Sequence, residues 1–115
     1  MPSRSSDAPH LLDIQQAIGR IRATVSDVAL AMFEADWQRQ WLVERGLEII
    51  SEASRRLSPE LRARHPAIAW RKVAGIGNVL RHEYQRVAPA ILWAVSRRDL
   101  DALEAMCAAE LRAPL

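Results

Sequence analysis

The chain has 115 residues, half of them hydrophobic and 26% charged, with a net charge of +2 and a sequence pI near 9.3. That composition describes one ordinary globular domain; no run approaches the ~18–20 apolar residues of a membrane span, so no membrane partner is expected. Cys107 is the single cysteine, which excludes an intramolecular disulfide and a cysteine-based metal cluster and reads as a small buried hydrophobe. The opening "MPSRSSDAPH" has no apolar stretch of the signal-peptide kind, so the expected location is cytoplasmic. Lys72 is the lone lysine among the basic residues. Arginine makes bidentate contacts to phosphate that lysine cannot. A GC-rich genome would give the same bias, so the charge permits RNA binding without establishing it.

The predicted elements are all helical. Residues 1–10 read as a loose segment. Leu11, Ile14, Ile18, Ile21, Val25 and Val28 recur at spacings of three and four, the stripe of a helix in a bundle seam. Thr24 to Asp27 can break that helix and cap a second, short one. A long helix is predicted from about Ala35 to Leu57, with apolar positions on more than one face, as suits a central helix. Trp37 and Trp41 on it are assigned to the core or to a dimer interface. "SPEL", Ser58 to Leu61, is an N-cap followed by proline at the first helical position, and the short turn it starts ends near His65-Pro66. The next helix spans about Ile68 to Tyr84, with Trp70, Val73, Gly77, Leu80 and Tyr84 on one face. Ala88-Pro89 starts another segment, Arg97-Arg98-Asp99 can interrupt it with Asp99 as a cap, and Leu100, Leu103, Cys107 and Leu111 make the last stripe. The expected architecture is an all-α, up-and-down bundle of four to five helices in a single domain, 1–115. Bundles of this size often pair.

"GIGNVLRHEYQRV", Gly75 to Val87, breaks the pattern. Asn78 and His82 lie four residues apart and share a face, with Arg81 flanking it. Gly75 and Gly77 each cost about 1 kcal/mol against alanine in a helix interior, so the pair points to close approach of a backbone or a ligand. Histidine titrates near neutrality. His82 could therefore take a proton from a 2'-hydroxyl or return one to a leaving alkoxide, while a neighbouring arginine stabilises charge on phosphorus. The structural alternative is a histidine bonded to Asn78 or Glu83. His10 and His65 read as surface residues. Neither a metal site nor a cofactor is implied: His82 and Glu83 point about 100° apart on a helix, and no H-E-x-x-H pattern, nucleophile elbow or phosphate-binding glycine loop is present.

The chain resembles the HepT-like proteins, minimal HEPN-type domains that form the toxin half of MNT/HepT toxin–antitoxin pairs. "LEIISEASRRLSPELRARHP", "IAWRKVAGIGNVLRHEY" and "AILWAVSRRDLDALEAM" carry the resemblance, which runs from about Leu12 to Leu111. It implies a HEPN-like helical homodimer that cleaves RNA, not DNA, through an arginine separated from a following histidine by four to six residues. It also implies a small nucleotidyltransferase antitoxin that neutralises the toxin by AMPylating the tyrosine two after that histidine. Carried over, the site residues are His82 and Asn78, with Tyr84 as the modified residue. The family's arginine is missing: Gly75, Ile76 and Gly77 stand at its positions. Ser51 replaces a usual glycine. Arg81 is the candidate substitute cation. That departure leaves two further readings open, a non-catalytic HEPN adaptor that binds RNA or the nucleotidyltransferase, and a structural partner subunit of that nucleotidyltransferase.

Overall fold

A computed structural model of the chain describes residues 4–83 and 88–112. It is an all-α bundle. Four longer helices, α1 (Arg4–Val25), α3 (Trp37–Arg56), α5 (Trp70–Glu83) and α7 (Asp101–Arg112), are joined by short ones, α2 (Leu30–Glu34), α4 (Pro59–Ala63) and α6 (Pro89–Ala94). Helix α3 is central and packs on both α1 and α5, while α7 packs on α1. The core is the predicted stripe of α1 closed by Phe33, Val43, Leu47, Ile50, Leu80, Leu92, Leu103 and Met106. Gly46 lets α1 and α3 approach: a Cβ there would lie 2.7 Å from Ile21 Cγ1.

Helix α1 breaks where predicted, but Thr24 to Asp27 do not cap the next helix: α2 starts at Leu30 after Ala29, with no side-chain cap. Helix α1 ends at Val25, and its last carbonyls, which have no intrahelical donor, are taken by two arginines. Arg39 Nη1 donates to the Thr24 carbonyl at 2.7 Å, and Arg97 Nη1 donates to that of Val25 at 2.9 Å. Positive charge at a helix C-terminus is favourable in itself. Ser58 caps α4, its hydroxyl accepting from Leu61 N–H at 3.2 Å, with Pro59 at the first helical position. Cys107 is buried, and burial pushes its thiol up to about 12.

Four more expectations change. The first ten residues are not left loose as a block, because α1 begins at Arg4. Buried Asp7 accepts the Ser58 backbone N–H at 2.8 Å and its hydroxyl at 2.7 Å. Residues Val95–Asp99 wind as a π-turn between α6 and α7, so Asp99 sits inside that wide turn and α7 starts at Asp101. Of the two assignments for Trp37 and Trp41, core and dimer interface, the core is ruled out. The two tryptophans stand 57% and 65% exposed, in edge-to-face contact at 4.8 Å. His65 is not a free surface residue: its Nε2 lies 2.7 Å from Glu110 Oε2.

Candidate active site

Helix α5 is anchored at its start by Trp70, whose indole N–H donates to the carbonyls of Arg62 and His65 at 3.1 and 3.0 Å. Leu80 is buried, and Trp70, Val73 and Ile76 pack partly against the core. The other side is polar. Arg71, Asn78, Arg81 and His82 are all exposed. At about 100° per residue, Asn78, Arg81 and His82 fall within an arc of roughly 100°, with Ala74 inside it one turn earlier. The predicted sharing of a face therefore holds for all three. Tyr84, the expected modification site, lies outside the described residues.

The middle of α5 is laced to α3. Ser51, fully buried, donates its hydroxyl to the Ala74 carbonyl at 2.7 Å and accepts the Gly77 N–H at 3.1 Å. Arg55, one turn along α3, donates Nη1 to the same Ala74 carbonyl at 2.8 Å. A Cβ on Gly77 would lie 2.9 Å from Ser51 Oγ and 3.4 Å from Arg81 Nη1. The glycine pair thus divides. Gly77 permits the close approach, whereas a Cβ on Gly75 would meet nothing within 4 Å.

The position of Arg81 follows from the same glycine. Its guanidinium folds back over Gly77, with Nη1 at contact distance, 3.4 Å, from where a Cβ at residue 77 would be. Among the described residues no carboxylate forms an ion pair with Arg81. Beside this face Glu52 accepts from Arg55 through Oε2, and from Arg56 Nε and Nη2 through Oε1 at 3.1 and 2.9 Å. Bonding to Arg55, then to Arg56, lowers the Glu52 carboxyl below its usual range. The site therefore reaches onto α3, which the sequence reading missed. The available signal was a serine in the inward stripe of α3 with an arginine four residues on, a spacing that puts both on one side of a helix.

A groove of about 690 Å³ between α1 and α3 is lined by no residue of α5. Asp13, Arg20, Leu42, Arg45 and Ile49 are among its lining residues, and it contains no histidine. Among the described residues, no helix is long and apolar enough to cross a membrane, and no three histidine, cysteine, aspartate or glutamate side chains converge as a metal-binding group.

The family described as ribonuclease HepT-like matches residues 14–110. The chain belongs to the HepT-like family. A protein named "Probable ribonuclease HepT" from Thermococcus cleftensis is 33% identical over 101 residues, which are 88% of this chain and 92% of that one. A candidate RNase of Methanocaldococcus jannaschii is 29% identical over 90 residues, covering 78% of this chain and 83% of its own length. Another, from Caldanaerobacter subterraneus, is 31% identical over 96 residues, covering 84% and 86%. No solved structure matches the chain. HepT-like membership agrees with the resemblance read from the Trp-led helix and its Asn-x-x-x-His-x-Tyr ending.

Proposed function

We propose that this chain is a metal-independent endoribonuclease, the toxin half of a nucleotidyltransferase/HEPN pair, acting as a homodimer. Two His82 side chains facing one another across the dimer would divide the proton transfers. One takes the proton from a 2'-hydroxyl as its oxygen bonds to phosphorus. The other protonates the 5'-oxygen as the P–O5' bond breaks, leaving a 2',3'-cyclic phosphate and a 5'-hydroxyl. Asn78 on the same face orients the phosphate by hydrogen bonding. Arg81 stabilises the charge that develops on the phosphoryl oxygens. Tyr84 is the residue the antitoxin would AMPylate, blocking the site.

One observation carries this reading: Arg81 lies back over Gly77, so the site keeps a guanidinium at the turn where the family's arginine is expected. The relatives' names, which describe RNases, support the substrate class. Gly77 itself favours a second reading, a non-catalytic HEPN adaptor that binds RNA or the nucleotidyltransferase through the same face. The test is cleavage of a mixture of tRNA and mRNA in excess EDTA, with protein shown by intact mass to be unmodified. Wild type should leave 2',3'-cyclic ends, and His82→Ala should lose about 10²–10⁴-fold in rate. Equal rates for the two proteins, or no cleavage by either, would turn the assignment to the adaptor.

A further inference from the structure

The nuclease reading places one cation, Arg81, at the phosphate. The structure places a second guanidinium beside the same turn of α5, from a different helix. Arg55 reaches from α3 to the Ala74 carbonyl at 2.8 Å. Ala74 precedes Gly77 by three residues and Asn78 by four, so it lies on the Asn78–Arg81 side of α5. Gly77 links the two: Arg81 Nη1 lies 3.4 Å from where its Cβ would be, and the buried Ser51 hydroxyl bonds both the Gly77 N–H and the Ala74 carbonyl that Arg55 holds.

We propose that Arg55 is a phosphate-binding residue of the site, forming with Arg81 a two-guanidinium cradle over Gly77 for the RNA backbone. The inference rests on the nuclease reading for its ligand and on the α3–α5 contacts for its geometry. A guanidinium has five N–H donors in a planar fork. Arg55 uses one on Ala74 and one on Glu52, which leaves others for a phosphoryl oxygen. Its side chain is 37% exposed, so an anion can reach it. The tether to Ala74 holds the group in place before ligand arrives, which reduces the ordering cost of binding.

Glu52 makes the cradle exchangeable. Its Oε2 faces Arg55 and its Oε1 faces Arg56. When a phosphate takes Arg55, Glu52 keeps Arg56, so no carboxylate is stranded. Before that, Glu52 competes with the RNA for Arg55 and weakens the first encounter.

The test is binding of a short fluorescein-labelled single-stranded RNA with 2'-O-methyl groups throughout, which the proposed chemistry cannot cleave. Anisotropy is read over a range of salt in EDTA. Losing one phosphate contact on a single strand lowers the slope of log K against log salt by about 0.7. Arg55→Gln keeps an N–H donor for Ala74 and removes the charge; it should lower the slope by that amount, and Arg55→Lys should restore it. Glu52→Gln should raise affinity several-fold, and Arg98→Gln, on the exposed π-turn, should change nothing. If Arg55→Gln binds with the wild-type slope while Arg81→Gln does not, the cradle is wrong and the Arg81 assignment stands. Wild type that fails to bind the RNA at all would overturn both. A slope that falls for Arg55→Gln in protein that cuts no RNA would keep the cradle and sink the nuclease. Should Arg55→Gln melt lower than wild type, a slope recovered by Arg55→Lys assigns the loss to charge, and one not recovered assigns it to structure and overturns the proposal.

Discussion

Among the described residues, Glu110 and Glu52 each hold two basic side chains, and burial makes them different devices. Glu110, on α7, accepts from Arg64 Nε and Nη2 at 3.1 and 2.8 Å and pairs with His65 at 2.7 Å. Its side chain is 7% exposed. The bonded Arg64 guanidinium, helped by His65 and opposed by burial, holds its carboxyl at about 2. Glu52 holds Arg55 and Arg56 in the same fashion but stands 51% exposed. Solvent and salt screen such a pair, so its net contribution to stability is small. The first carboxylate ties α7 to the turn after α4. The second leaves an arginine available beside α5.

The sharpest way to break this contrast is at Glu110. Glu110→Ala leaves a cation partly buried without its anion and should cost about 3 kcal/mol, at the low end for a buried pair because Arg64 is partly exposed. Urea unfolding of wild type and variant measures it. The same carboxylate sets an acid limit. Because its folded pKa is depressed, its stabilisation is present above about pH 4.5 and is lost as pH falls towards 2. The wild-type advantage over Glu110→Gln should therefore shrink across that window. An advantage constant down to pH 2 would refute the assignment.

Ser58→Ala is expected next, at about 2 kcal/mol, since it removes the cap of α4 and one of two donors to buried Asp7. Gly77→Ala should cost about 1–2 kcal/mol, because the new methyl meets Ser51 Oγ, which two hydrogen bonds hold in place. With Ser51→Gly in the same chain, the combined loss should be less than the sum of the two single losses. The smallest effect belongs to Glu52→Gln, which should leave the thermal midpoint where it is while changing RNA affinity. A clear fall in midpoint would make Glu52 a structural carboxylate like Glu110 and erase the comparison.

Much of the fold was legible because its signals are local. The stripe of α1, the break after Val25, the Ser58-Pro59 start of α4 and the 78–81–82 face of α5 all follow from residues within a few positions of one another. What was not legible joins residues far apart in sequence. Asp7 to Ser58, His65 to Glu110 and Ser51 to Ala74 are separated by 51, 45 and 23 positions, and no period in the sequence encodes such a pairing. The glycines show the same limit. Gly75 and Gly77 carry the same helix penalty, yet only Gly77 faces α3. The tryptophans show another: apolar residues on several faces of α3 argued for burial, but hydropathy does not say whether a neighbour exists to cover each face.

The exposed edge-to-face pair of Trp37 and Trp41 gives the molecule an intrinsic optical reporter. Trp70 and Trp93 have their indole N–H groups bonded to carbonyls and are half-buried, so the long-wavelength part of the emission comes from the outer pair. Coverage of that end by a second copy or a partner should shift the emission to the blue and protect it from iodide quenching. Occupancy of the α5 face alone should leave both unchanged. A titration without any label therefore tells assembly at the tryptophan end from occupancy of the polar face of α5.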